Sequence, residues 1–118
     1  VLVSTAGCRV IGRQDLEYED GTWSLEGQTF GADGVSVILV SMAPGHGVRL
    51  HRHPYAEIFV VEDGEATFSA GDATEVVSAP RVVIVSAGVP HRFVNSGLIM
   101  LRQTDIHLSG HFVTEWLE

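Results

Sequence analysis

The chain has 118 residues, of which 45% are hydrophobic and 19% charged, so it is large enough to bury the core of one globular domain. Asp and Glu outnumber Lys and Arg by 15 to 7, and the resulting formal charge of −8 would repel a phosphate backbone, which excludes nucleic acid as a partner. The apolar runs are far shorter than the roughly 20 residues of a membrane span, so we expect no membrane partner either. A single cysteine, Cys8, cannot form an internal disulfide and favours the reducing cytoplasm as the location.

Apolar residues recur at every second position or in short runs, and Gly, Asp-Gly and Pro interrupt them at regular intervals, which is typical of an all-β fold. The more polar residues 1–34 are predicted to form edge strands or an N-terminal arm. Eight strands are predicted after them: Ser36 to Met42, Val48 to His53, Ile58 to Val61, Ala66 to Ser69, Thr74 to Ser78, Val82 to Val85, His91 to Asn95 and Leu98 to Thr104.

Glycine-containing turns separate several of these strands. The sequence Glu62-Asp63-Gly64-Glu65 predicts a hairpin turn, because glycine adopts positive φ without steric cost. The sequence Ala70-Gly71-Asp72 predicts a second one. Residues 1–118 are therefore interpreted as one domain whose barrel spans residues 35–105.

A C-terminal arm, residues 106–118, follows the predicted barrel and carries Phe112 and Trp116 among acidic residues. Chain ends stay ordered only when they are tied down, so we expect this arm or the N-terminal one to pack on a second copy in a homodimer. The alternative is that the C-terminal arm folds back on its own barrel. Its histidines, His107 and His111, are expected at the surface or an interface and not as metal ligands.

Three histidines and a glutamate have the spacing of a metal site. Alternate side chains of a strand share a face, so His51 and His53 point the same way. After a bend at residues 54–56, Glu57 begins the next strand and can turn toward the same point. His91 opens a distant strand and supplies a fourth ligand.

Three neutral imidazoles and one carboxylate suit one divalent transition metal per chain, namely Fe, Mn, Ni, Co, Cu or Zn. An octahedral ion with these four ligands keeps two positions for water, a bidentate substrate, or a substrate and dioxygen. A histidine pair on a solvated strand is the alternative, which the additional spacing of Glu57 and His91 disfavours.

The spacing of the first three ligands resembles the first motif of the cupin superfamily. In that motif a glycine is followed after five residues by His-x-His, then by a glutamate and, six residues later, by another glycine. Gly45, His51, His53, Glu57 and Gly64 meet each of these positions.

The second cupin motif is matched at Gly88, His91 and Asn95, whereas Pro80 and Ser86 replace its first glycine and its proline. Both departures fall in turns and not at ligand positions. The resemblance covers residues 45–95 and implies a small single-domain cupin, that is, a jelly-roll barrel of two antiparallel sheets.

Five side chains near the ligands are candidates for binding or catalysis. Arg49 precedes His51 by two residues and is expected either to pair with a substrate carboxylate or to reach solvent. Tyr55 can hydrogen-bond a bound ligand or simply pack, and Gln103 suits support of a ligand or a water. Phe59 and Phe93 are predicted to wall a mostly apolar pocket.

These residues predict a metal-dependent enzyme that acts on a small organic molecule, with dioxygenase-type chemistry favoured. Two alternatives remain open: a non-redox isomerase, lyase or cyclase, and a non-catalytic module that senses a small ligand or a metal. Fold resemblance does not select among them.

Overall fold

The computed structural model describes residues 2–5 and 7–118, with side chains from residue 7 onward. Its strands are β1 Leu2–Thr5, β2 Cys8–Ile11, β3 Glu17–Glu19, β4 Thr22–Leu25, β5 Ser36–Met42, β6 Gly47–Arg52, β7 Glu57–Asp63, β8 Glu65–Ala70, β9 Ala73–Ser78, β10 Arg81–Val85, β11 His91–Asn95, β12 Leu101–His107 and β13 Glu115–Trp116. A 3₁₀ turn at Arg13–Asp15 and the short helix α1, Gly27–Phe30, interrupt them. Among the described residues, no helix is long and apolar enough to cross a membrane.

Two antiparallel sheets form the barrel, as the sequence predicts. One has six strands in the order β10-β7-β12-β5-β4-β3, the other five in the order β13-β6-β11-β8-β9, and β1 and β2 pair separately. The apolar side chains buried between the sheets are Val40, Met42, Phe59, Val61, Ala66, Phe68, Val85, Phe93 and Leu101. The fold is therefore all-β and of the jelly-roll type.

Strand alternation brings polar as well as apolar side chains into the barrel. Along β12, Leu101, Gln103, Asp105 and His107 are all buried. Because β12 runs antiparallel to β7, His107 lies opposite Glu57. One end of the barrel interior is thus polar, and the other is apolar.

Most strands match their predicted positions, but the last does not. Its predicted bounds were Leu98 to Thr104, whereas β12 begins at Leu101 and ends at His107. Leu98 is 97% exposed, in a turn. The apolar run Leu98 to Leu101 thus marks a turn and only the first residue of the strand.

The predicted hairpin at Gly64 is wrong, although the turn exists. Gly64 has φ +88°, and a Cβ there would lie 2.9 Å from the carbonyl oxygen of Met100. The strands on either side belong to different sheets, since β7 pairs with β10 and β12 whereas β8 pairs with β9 and β11. The chain crosses between sheets here. In contrast, the turn at Gly71 does form a hairpin, in which Ala70 pairs with Ala73.

The C-terminal segment returns to its own barrel. Trp116 pairs with His51 and Glu115 with Arg52, so β13 becomes the edge of the five-stranded sheet. Arg52 Nε also binds the Glu115 carboxylate at 2.7 Å. The C-terminal arm therefore folds back on its own barrel, which is the alternative given in the sequence analysis.

Candidate metal centre

The structure brings the four predicted ligands together. One donor atom of each of His51, His53, Glu57 and His91 lies within 4.8 Å of every other. All four residues are buried, with exposures between 2% and 6%. The pairing of His91 with His51 across β11 and β6 aligns two of them, and Glu57 arrives as the first residue of β7.

Each ligand imidazole is held in one tautomer by its second nitrogen. In all three, Nδ1 lies at hydrogen-bonding distance from a backbone carbonyl, which can only accept, so Nδ1 carries the proton and Nε2 keeps a lone pair. The carbonyls are those of Arg49, Val113 and Val89, at 2.6, 2.8 and 2.9 Å from His51, His53 and His91 respectively.

These lone pairs face a carboxylate oxygen. Nε2 of His53 lies 3.1 Å and Nε2 of His91 3.2 Å from Glu57 Oε1. The Nε2 atom of His53 is buried without a hydrogen-bond partner among the described residues. Lone pairs that converge in a buried site need a cation between them. The donor set therefore fits one divalent transition metal ion per chain.

The electrostatics of His51 and Glu57 agree with this donor set. Burial lowers the pKa of His51 to about 4, so its imidazole is neutral at pH 7. Burial alone would raise the pKa of Glu57, but the adjacent imidazoles of His107, His53 and His91 outweigh it and hold that pKa well below its usual range. A neutral imidazole and an ionised carboxylate are the forms that bind a metal.

Comparison with known proteins identifies the fold family. Residues 38–106, more than half of the chain, match the family model of the cupin domain. This chain belongs to the cupin family. No curated protein sequence matches this cupin.

Solved structures of oxalate decarboxylases have the same fold. The enzyme from Lactobacillus farciminis in its formate complex gives a TM-score of 0.76 at 23% identity, over 88% of this chain and 34% of that chain. A Bacillus subtilis oxalate decarboxylase, solved in a study of its Mn(II) centres, gives 0.76 at 24% identity, over 86% and 29%. The cupin thus spans about a third of the length of these enzymes, and the likeness concerns the fold.

His107, which lies beside the four ligands, is missing from the sequence prediction of the site, and its expected place at the surface is wrong. It is 3% exposed, because β12 extends two residues beyond the predicted end of the barrel. Its Nε2 lies 3.1 Å from Glu57 Oε2, and its Nδ1 lies 2.7 Å from the hydroxyl of Tyr55. The polar residues Gln103, Asp105 and His107 alternate along the sequence, and this pattern could have predicted that His107 is buried beside the ligands.

Two of the three catalytic candidates support the centre indirectly. The ring of Tyr55 stacks on His53 with centroids 5.0 Å apart, and burial raises its pKa to about 12. Gln103 is buried and donates from Nε2 to Asp105 Oδ1 at 2.9 Å. Burial raises the pKa of Asp105 well above its usual range, which favours the protonated carboxyl.

The third candidate, Arg49, is exposed and does not enter the centre. Its guanidinium donates to the backbone oxygen of Glu118 at 3.1 Å and lies 4.8 Å from the ring of Trp116. The cause is an irregularity in β6, where the four residues from Val48 to His51 oppose three residues on β11. Val48 and His51 therefore share the inward face, and Arg49 turns outward, as in the alternative expected for it.

A cavity of about 110 Å³ opens directly at the metal ligands. Both phenylalanines predicted to wall a pocket, Phe59 and Phe93, line it. The other residues that line it are Thr22, Ile38, Val48, Asp105, His107, Phe112, Thr114 and Trp116, together with His51, His53 and Glu57. The centre thus has space for a small molecule beside the ion.

Proposed function

We propose that this cupin is a metal-dependent enzyme acting on a small organic molecule, with dioxygenase-type chemistry as the first candidate. The observation that carries the proposal is the cavity of about 110 Å³ that is lined by His51, His53 and Glu57. A purely structural metal site has a closed ligand shell, whereas a catalytic one keeps space for substrate.

The cavity limits the size and polarity of the substrate. A dry cavity of about 150 Å³ holds benzene, so this smaller one suits a molecule of fewer than about six heavy atoms. Its wall is mostly aromatic and aliphatic, and Thr22, Thr114 and Asp105 offer hydrogen bonds in place of a positive charge. A neutral or singly charged molecule with adjacent oxygens fits this lining better than a dianion.

The protein's own groups would orient this molecule and exclude water. Phe59, Phe93 and Phe112 enclose it on apolar surfaces, which strengthens every polar contact inside. Asp105, held through Oδ1 by Gln103, would donate a hydrogen bond to a substrate oxygen while protonated. A bound Fe, Mn or Cu ion would supply electron transfer to dioxygen, whereas Zn would supply only Lewis acidity.

Asp105 also favours a second candidate, a non-redox lyase or isomerase. A buried carboxyl kept protonated is a proton donor, which reactions of these classes require. Oxalate decarboxylases share the fold. Oxalate itself is at the upper limit of the size that the cavity suits, and its two charges suit this lining poorly.

Metal analysis and oxygen uptake separate the candidates. The full chain is purified without added metal or chelator, and its Fe, Mn, Cu and Zn contents are measured. Small hydroxy ketones, diketones, hydroxy acids and oxalate are then tested for turnover and for consumption of dioxygen. Turnover with stoichiometric oxygen uptake supports the first candidate, and turnover without it supports the second. Tight binding of these compounds without any turnover would contradict both and favour a binding module.

We also propose a homodimer and a cytoplasmic location. The single cysteine supports the location. Since β13 pairs with its own barrel, the N-terminal strands are now the favoured dimer contact. Light scattering on the full chain is expected to give twice the monomer mass, and a monomer would contradict the dimer.

A further inference from the structure

His107 differs from the three ligand imidazoles in what its Nδ1 atom contacts. In the ligands this atom faces a carbonyl oxygen, which can only accept a hydrogen bond. In His107 it faces the hydroxyl of Tyr55 at 2.7 Å, and a hydroxyl can donate. The carbonyl partners therefore fix one tautomer in the ligands, whereas the hydroxyl partner permits the opposite tautomer in His107.

A hydrogen bond from the backbone of Val113 favours one direction for the Tyr55 hydroxyl. The Val113 N–H donates to the Tyr55 oxygen at 3.3 Å, so the hydroxyl is already an acceptor there. The single hydroxyl proton is then available for Nδ1 of His107. With Nδ1 accepting, the neutral imidazole carries its proton on Nε2.

That proton lies beside the second oxygen of Glu57. Nε2 of His107 is 3.1 Å from Oε2, whereas Oε1 faces the Nε2 atoms of His53 and His91 at 3.1 and 3.2 Å. The ring of Phe112 packs edge-on against His107 at 4.9 Å and 85°, which restricts rotation of the imidazole. The two carboxylate oxygens therefore have different partners.

We propose that Tyr55 and His107 are positioning residues: Tyr55 fixes His107 as an Nε2–H donor, and His107 holds Oε2 of Glu57 so that Oε1 is presented to the metal. His107 is then not itself a ligand. Groups that orient ligands in this way set metal affinity by about 10- to 100-fold. The inference rests on the metal site that the proposed function uses, and not on the reaction.

Binding of Mn²⁺ alone tests this arrangement. The full chain is stripped of metal and titrated with Mn²⁺, free ion is followed by electron paramagnetic resonance, and pulsed measurements count the coordinated imidazoles. We expect the wild type to show the imidazoles of His51, His53 and His91 only. Tyr55→Phe and His107→Leu should weaken Mn²⁺ binding by about 10- to 100-fold. His107→Gln keeps an N–H donor and should bind close to wild type.

Matched controls lie elsewhere in the chain. Tyr18→Phe and His111→Leu alter exposed residues and should leave Mn²⁺ affinity unchanged. Thermal unfolding of the metal-free variants checks that each is folded. If His107→Leu does not fold, the Mn²⁺ affinities of Tyr55→Phe and His107→Gln are compared instead, and only Tyr55→Phe should bind more weakly than wild type. Four coordinated imidazoles in the wild type would overturn the inference, as would unchanged affinity in Tyr55→Phe or equal losses in His107→Gln and His107→Leu. These failures leave the reaction proposal standing, whereas a wild type that binds none of Fe, Mn, Cu and Zn would overturn both.

Discussion

The two ends of the barrel interior are built on the same strands but are stabilised differently. At the apolar end, Val61 and Leu101 are fully buried among other hydrocarbon side chains. At the metal end, Glu57 and His107 occupy equivalent inward positions on the same two strands and are almost as buried. Burial alone therefore does not distinguish core from site.

The two ends of the barrel interior depend on different interactions for their stability. Packed hydrocarbon is favourable in itself, at about 25 cal/mol per Å² removed from water. Buried imidazoles and carboxyls are costly unless every polar atom has a partner, and the Nε2 atom of His53 is buried without a hydrogen-bond partner among the described residues. The apolar end should hold the fold together, and the metal end should depend on its ion.

The largest loss of stability is expected at the apolar end. Leu101→Ala removes a fully buried side chain and should lower the free energy of unfolding by about 2 to 5 kcal/mol, as measured by urea denaturation. The folded variant should still bind one metal. Leu98→Ala is the control, because Leu98 is 97% exposed and its truncation should change stability by about 0.5 kcal/mol or less. Similar losses in both variants would contradict this view of the core.

A smaller, pH-dependent effect is expected at Asp105. Its pKa is raised in the folded protein by burial, so above pH 4 the folded state binds more protons than the unfolded state, and stability falls as the pH rises toward the folded pKa. Asp105→Asn removes this loss. The melting temperature of metal-free Asp105→Asn, relative to wild type, should rise with pH. The exposed variant Asp72→Asn should show no such trend. A melting-temperature difference for Asp105→Asn that does not change with pH would refute the raised pKa of Asp105.

The smallest effect on stability is expected at Trp116, which is 51% exposed. Trp116→Phe should unfold much like wild type, yet it reports on the metal end, because the Trp116 ring lies 5.0 Å from that of His51. Binding of Co²⁺ should quench the tryptophan fluorescence of wild type and of Trp23→Phe. The quenching should be lost in Trp116→Phe. Equal quenching in both variants would place the ion elsewhere.

Residue spacing was enough to predict an all-β fold and the convergence of the four ligands, because alternation and turn residues are local properties, and the resemblance to the cupin motifs implied the jelly roll. The side-chain directions predicted from alternation were wrong where the pairing of two strands is irregular. The irregularity between β6 and β11 turns Arg49 outward, and it depends on the partner strand, which local sequence does not encode. A turn such as the one at Gly64 can likewise join two strands of a hairpin or two strands of different sheets, and the local sequence does not distinguish the two.

His107 and Asp105 were missed for a different reason. On β12 the polar side chains face inward while Ile106 and Thr104 are only half-buried, which inverts the usual hydrophobic alternation. Such an inversion is stable only because the barrel interior is polar at this end. A polar residue at every second position of a late strand is thus a signal for a buried site.

The most direct test of the central claim is the metal content of the wild type, His51→Ala and His91→Ala. Each protein is purified without chelators, and bound transition metals per chain are measured by mass spectrometry, with exposed His46→Ala as the control. We predict one metal per chain in the wild type and in the control, and loss of most metal in both ligand variants. Full occupancy in both ligand variants would contradict the metal centre described above.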